Sequence, residues 1–218
     1  MLLLCYTIGM TKTITALTVQ ARNTNRVNVF LDGDYAFALD VMAAARLHRG
    51  QTLTTEEVAA LITEEEQTSA YHQALRHLGG RPHSRAEIQR HLISKRFSSE
   101  AIDSAIERLL RDGLVDDAEF ARFWTENRVE FRPRSTRALR YELRQKGVDG
   151  ADIDAALVEV DDEHSAWAAV QPKLALWQKL SPEEFEKKLF GFLARRGFDF
   201  DTARGVLRKA KADLADDA

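Results

Sequence analysis

The chain contains a sequence unit that returns about every fifty residues. Arg81-Pro82-His83-Ser84 reappears 51 positions later as Arg132-Pro133-Arg134-Ser135. Apolar residues recur at the same offset and again after a further 50, in three aligned sets: Ile88, Leu92, Phe97, Ile102 and Ile106; Leu139, Leu143, Val148, Ile153 and Leu157; Leu189, Leu193, Phe198, Ala203 and Leu207. This period predicts stacked helical repeats, which usually present an extended surface to a macromolecule.

Glycine, proline and capping residues divide each repeat into three helices. Ser84 and Glu87 form a capping-box pattern at the start of one helix, and Gly113 and Gly147 follow the ends of two others. The predicted helices cover 68–78, 84–96, 99–111, 118–130, 135–146, 151–160, 165–179, 182–195 and 202–214. We therefore expect a mainly α fold with three tandem three-helix repeats, over 67–116, 117–164 and 165–214, forming an elongated curved array.

Residues 12–66 have a different pattern, which predicts a small β-rich N-terminal module. Three segments alternate and are rich in β-branched residues, at 13–20, 26–31 and 35–39, and turn-forming stretches separate them. They predict a three-stranded antiparallel meander. A short helix is expected over 41–48, and a capping box of Thr54 and Glu57 predicts another helix to about residue 66.

Residues 1–11 are expected to be a disordered extension or a mis-called start, with translation beginning at Met10. The apolar start lacks the basic segment of a signal peptide and is too short to span a membrane. Cys5 is the one cysteine, which excludes a disulfide framework and a cysteine-based zinc site. We expect a cytoplasmic protein.

Several stretches closely resemble the RecX family, bacterial regulators of the RecA recombinase. They include 27–33, 76–82, 113–117, 120–122, 127–128, 132–148 and 189–198, among them Arg132-Pro133-Arg134-Ser135 and Leu189-Phe190-Gly191-Phe192. The resemblance spans about 12–210, and many relatives lack the β module or have a shorter one. It implies binding along the RecA–DNA filament and inhibition of its ATPase, strand-exchange and coprotease activities, and so negative modulation of recombination and the SOS response.

The clearest candidate binding surface lies in the second repeat. Residues 128–147 contain seven Lys and Arg against Glu130 and Glu142, a local charge of +5. At helical spacing, Arg137, Arg140, Tyr141 and Arg144 share one face, which suits phosphates, acidic loops or exposed bases. The candidate partner-binding residues are Arg128, Arg132, Arg134, Arg137, Arg140, Tyr141, Arg144, Lys146, Arg195 and Arg196. The alternative is a solvated face paired with acidic neighbours.

Charge alternates in sign along the repeats. Residues 149–166 contain seven acidic residues and no Lys or Arg, and the third repeat is basic again. This alternation either neutralises charge between helices or matches a filament that presents basic protein beside anionic DNA. Each repeat places cations on or near its second helix, and contacts of this kind weaken with salt.

The sequence offers no recognisable catalytic chemistry, so we predict a non-enzyme without a cofactor or metal. No Gly-rich phosphate loop occurs. The spacings of His72, His77, His83 and His91 do not match a helical zinc site, and we expect surface histidines. The pair Asp116-Asp117 is expected to cap a helix.

The predicted partner is the RecA filament, with weak contact to single- and double-stranded DNA, no membrane association and a monomeric state. A net charge of only −3 makes naked DNA a secondary partner. The alternative is a helical-repeat protein that binds single-stranded nucleic acid without sequence preference and without RecA. A purely structural scaffold is a third possibility, favoured if the basic residues prove internally paired.

Overall fold

The computed structural model describes residues 11–216. The expected N-terminal extension, apart from Thr11, lies outside these residues. The described chain is mostly helical and forms two compact units. The first contains residues 11–77 and His91–Leu109, and the second contains Leu78–Arg90 and residues 110–216.

The first unit begins with an antiparallel sheet of four strands in the order β3-β2-β1-β4. The strands are β1 (Thr11–Gln20), β2 (Asn23–Leu31), β3 (Asp34–Asp40) and β4 (Thr52–Thr54). The predicted meander is present. Strand β4 was not predicted, because three residues are too few to show an alternating pattern. At the β2–β3 turn, Asp32 and Gly33 both have positive φ (53° and 100°), as a two-residue hairpin requires.

One face of the sheet is covered by its own helices. The buried core contains Ile14, Val29, Leu31 and Leu39, with partly buried apolar residues of helix α2 (Thr55–Leu78) packed against it. Helix α1 covers only Val41–Ala44, so the helix predicted over 41–48 forms only its first half. Its remainder continues as turns, which agrees with the marginal stability of so short a helix.

Helix α2 is one continuous helix of 24 residues, so the prediction of separate helices over 55–66 and 68–78 is wrong. The expected boundary between residues 66 and 67 lies inside it. The sequence Glu66-Gln67-Thr68 contains no glycine or proline that would interrupt the backbone. Thr54 caps the helix as predicted: its hydroxyl accepts from the amide of Glu57 at 3.2 Å, and its own amide donates to Glu57 Oε2 at 2.7 Å.

The three predicted three-helix repeats are present. The first repeat contains α2, α3 (Arg85–Ser94) and α4 (Ser99–Arg111). The second repeat contains α5 (Asp117–Phe131), α6 (Thr136–Gln145) and α7 (Gly150–Leu157), and the third contains α8 (Asp162–Val170), α9 (Leu174–Trp177), α10 (Pro182–Ala194) and α11 (Phe200–Asp216). Fourteen of the fifteen aligned apolar residues are buried, and the other, Phe97, is partly buried. The sequence period therefore marks the core of each repeat.

The first helix of the third repeat is interrupted, although the sequence analysis predicted one helix over 165–179. Helix α8 ends at Val170, a 3₁₀ turn covers Gln171–Lys173, and α9 follows. The interruption lies at Pro172, which lacks a backbone donor and whose ring obstructs the preceding turn. Leu174 and Trp177 of α9 are nevertheless buried in the core of the repeat.

In the second compact unit, the middle helices of neighbouring repeats (α3, α6 and α10) meet end to end, and a glycine lies at each of the two junctions. Gly147, which follows α6, has φ +81°, and a Cβ added there would overlap the Cβ of Ala86 in α3. Gly197, which follows α10, has φ +91°, and its Cβ would lie 2.6 Å from Ser135 Oγ and 2.7 Å from Ala138 Cβ. Both glycines therefore combine a left-handed backbone with a contact that excludes a side chain.

We predict that Gly147→Ala and Gly197→Ala each destabilise the protein more than Gly113→Ala does. Gly113 also has positive φ (+67°), but a Cβ there would have open space. The left-handed conformation costs about 1–2 kcal/mol at all three positions, and overlap adds about 1–3 kcal/mol at the first two only. Chemical denaturation measures the three free energies of unfolding. Equal losses at all three positions would show that the close contact is unimportant.

Candidate partner-binding surface

Helix α6 carries the predicted basic face. Ser135 caps the helix by accepting from the amide of Ala138 at 3.2 Å. Leu139 and Leu143 are fully buried, so the helix orientation is the predicted one. The opposite side of the helix faces away from this core.

Glu142 forms ion pairs with two of the predicted arginines, Arg128 and Arg134. Its Oε2 lies 2.9 Å from Arg128 Nε, and its Oε1 lies 3.0 Å from Arg134 Nε. The Trp124 indole donates to Glu142 at 2.9 Å, and the Arg128 guanidinium lies 4.1 Å from the centre of the Trp124 ring. The side chain of Arg128 is only 20% exposed. The main role of Arg128 in this geometry is to hold α5 against α6.

Lys146 is also directed inward. Its Nζ lies 2.5 Å from Glu87 Oε1 and 4.0 Å from the centre of the Trp124 ring. Glu87 accepts from Arg81 as well, at 3.0 Å. Burial on its own raises the pKa of Glu87, but the hydrogen bonds and charges of Arg81 and Lys146 outweigh it and lower that pKa to about 2. Lys146 therefore joins α6 to α3.

Arg140 and Arg137 contact neighbouring elements but stay partly accessible. Arg140 forms an ion pair with Asp154 of α7, and its side chain is 35% exposed. Arg137 is exposed and donates to the carbonyl oxygen of Gly197 at 3.2 Å. The Arg140–Asp154 pair shows that the acidic stretch at 149–166 neutralises part of the basic face.

The remaining predicted residues are more open to solvent. Arg132, Arg144 and Arg195 are exposed, and none of the three forms an ion pair with a residue in 11–216. Tyr141 is 65% exposed. Arg196 is partly buried over the Phe192 ring, at 4.2 Å, and its buried Nε has no hydrogen-bond partner among the described residues. Burial, with the charges of Arg134 and Arg195, lowers the pKa of Arg196.

Sequence reasoning missed Glu87, Glu142 and Trp124 as organisers of the basic surface. Trp124 and Arg128 lie one helical turn apart on α5, but the other partners are between 6 and 59 positions away, so local spacing does not reveal the cluster. Asp116 caps α5 as expected, accepting from Ala118 and Glu119. His83 corrects the prediction of surface histidines: it is 7% exposed, and its Nδ1 lies 2.8 Å from the carbonyl oxygen of Arg81.

Family models match four consecutive parts of the chain. The "Regulatory protein RecX N-terminal domain" matches residues 12–54, and the first, second and third three-helix domains of RecX match 70–109, 116–157 and 161–207. The chain is 31% identical to "Regulatory protein RecX" of Lactobacillus delbrueckii subsp. bulgaricus over 94% of this chain and 77% of that protein. The chain belongs to the RecX family. A Chlorobium phaeobacteroides relative of the same name is 38% identical over 67% of this chain and 96% of that protein.

Solved structures of RecX proteins share the fold. "Crystal structure of regulatory protein RecX" has a TM-score of 0.66 at 24% identity, covering 89% of this chain and 98% of that one. The structure of RecX from Lactobacillus salivarius has a TM-score of 0.59 at 17% identity, covering 68% and 99%.

None of the helices in residues 11–216 is long and apolar enough to cross a membrane. Nor, within the same range, do three or more His, Cys, Asp or Glu side chains converge as a metal ion would require.

We predict that Glu87→Gln removes a pH-dependent part of the stability. The folded pKa of Glu87 lies below its ordinary value of 4.5, so its contribution is complete above pH 4.5 and is lost as the pH falls toward about 2. At pH 7 the substitution should cost about 2 kcal/mol, as expected for hydrogen bonds to charged groups. Denaturation at pH 7 and pH 3 should show a smaller gap between wild type and variant at pH 3.

The control is Glu183→Gln, an exposed carboxylate in the first turn of α10. It should change stability by less than about 0.5 kcal/mol. A wild-type to Glu87→Gln difference that does not shrink at pH 3 would contradict the assignment.

Proposed function

We propose that this protein binds the RecA nucleoprotein filament and inhibits its ATPase, strand-exchange and coprotease activities, acting in the cytoplasm as a monomeric negative modulator of recombination and the SOS response. The observation that carries the proposal is the match of all four parts of the chain to RecX domains. The accessible basic residues of the second and third repeats are the proposed contacts. Weak contact with single- and double-stranded DNA belongs to the same proposal.

The ten proposed contact residues differ in whether they already form ion pairs within the protein. Arg128, Arg134 and Lys146 stabilise the fold through Glu142 and Glu87. Arg132, Arg144 and Arg195 are exposed and unpaired within the described chain, so they can approach an anionic partner without breaking an internal ion pair. Tyr141, between Arg137 and Arg144 on the same helix, adds an exposed ring. These exposed side chains are the first to test.

The decisive measurement is ATP hydrolysis by RecA on single-stranded DNA, with this protein added at substoichiometric ratios. We expect inhibition by the wild type. The triple variant Arg132→Ala, Arg144→Ala, Arg195→Ala should keep its thermal stability and need at least about fivefold more protein for half-inhibition, since each lost charge–anion contact is worth roughly 0.5–1 kcal/mol near the surface.

The matched control removes three exposed arginines elsewhere, in Arg22→Ala, Arg49→Ala, Arg111→Ala, so the change in net charge is the same. It should inhibit like the wild type. Equal weakening by both triple variants would indicate a general charge effect and contradict the contact assignment. No inhibition by folded wild-type protein with its cognate RecA would remove the proposed function.

The second candidate is sequence-independent binding of single-stranded nucleic acid without RecA. The exposed rings of Tyr141 (65% exposed) and Phe200 (64%) favour it, and Arg204 lies 5.8 Å from the Phe200 ring centre. Exposed aromatic rings beside arginines can stack on unpaired bases. A gel-shift titration without RecA in rising salt distinguishes the candidates: binding that persists at physiological ionic strength supports this one.

A further inference from the structure

A groove between the second and third repeats is not used by the basic surface. It has a volume of about 690 Å³ and is formed by residues of α5, the end of α7, the segment between α7 and α8, and the start of α8. Val129, Ala156, Val158 and Val160 give it apolar walls. Val158 is 79% exposed, which is a large exposure for an apolar side chain beside a cavity. A groove of this size can hold a short peptide segment or a small ligand.

Thr125 lines this groove with an unsatisfied polar group. The residue is only 4% exposed, and its buried hydroxyl has no hydrogen-bond partner among the described residues. A threonine within a helix commonly donates to the carbonyl four residues earlier, as Thr63 does to Ala59 at 3.0 Å in α2. Leaving a buried hydroxyl unpaired is unfavourable. Because this oxygen is buried, the surface that a ligand can reach consists of the apolar walls and the rim.

The rim of the groove is mostly acidic. Glu126, Glu130 and Glu159 are exposed and form no ion pair with any part of the chain that the structure describes. Asp161 adds a fourth carboxylate, which also caps α8. Arg122 and His164 are the basic side chains on the rim. The rim therefore carries net negative charge around apolar walls.

We propose that this groove binds an extended basic segment of a partner protein, with an apolar pair of side chains between Lys and Arg residues. The apolar pair enters between Val129, Ala156 and Val160, and the flanking cations contact the acidic rim. This site goes beyond the proposed RecA regulation and does not depend on it, because it uses acidic side chains on α5 and on the segment between α7 and α8 instead of the exposed arginines.

The probe is a fluorescein-labelled peptide, GKRKVLKRKG, whose binding to the full chain is measured by fluorescence anisotropy at physiological ionic strength. We expect saturable binding, and binding weaker by at least about tenfold in each of two groove variants. One is Glu126→Lys, Glu130→Lys, which inverts charge on the rim. The other is Ala155→Trp, which fills the groove from an exposed position on α7.

Each variant has a matched control. Asp103→Lys, Glu107→Lys makes the same charge inversion at the same spacing on α4, and Ala151→Trp places the same ring one turn earlier on α7. Both control variants should bind the probe like the wild type. The peptide GKRKSSKRKG, which lacks the apolar pair, should bind at least about tenfold more weakly.

Three results would overturn the proposal: no saturable binding by the wild type, equal weakening by groove and control variants, or equal binding of the two peptides. The first excludes this ligand class, and the other two reduce the interaction to non-specific charge attraction. Because the RecA ATPase assay reports on a different surface, either proposal can fail while the other stands.

Discussion

The repeats of the second unit depend on a close backbone approach between the ends of their second helices. At Gly147 the turn after α6 reaches α3, and the Ser84 hydroxyl donates to the carbonyl oxygen of Lys146 at 2.6 Å. At Gly197 the turn after α10 reaches α6, and the Ser135 amide donates to the carbonyl oxygen of Arg196 at 3.1 Å. Each joint places the negative end of one helix dipole against the positive end of the next. This alignment satisfies a terminal carbonyl that a helix cannot satisfy internally.

The first repeat shows which part of this joint requires glycine. Arg96, which aligns with Gly147 and Gly197, also has a positive φ, of 66°. A left-handed residue after the second helix is therefore common to the three repeats, and an arginine can adopt it at a cost of about 1–2 kcal/mol. Gly147 and Gly197 differ from Arg96 because a neighbouring helix occupies the space that a Cβ would need.

The sequence predicted the features that repeat or that follow local rules. The aligned apolar residues revealed the core, and Ser84 and Asp116 were identified as caps because capping acts within four residues. The continuity of α2 was missed because the change of sequence pattern at residue 67 was interpreted as the end of one helix and the start of another. The pairing of Glu142 with Arg128 and Arg134 was out of reach, since it joins side chains whose proximity only the packed fold determines.

Charge on this protein must therefore be assessed surface by surface. In the second repeat, Glu142 neutralises arginines that a count along the sequence would assign to a partner, whereas Arg132 and Arg144 remain exposed. Glu126 and Glu159 give another face of the same repeat the opposite sign. At physiological salt, exposed charges act over only about 8 Å. A partner consequently responds to the nearest few side chains, and the net charge of −3 excludes neither an anionic nor a cationic one.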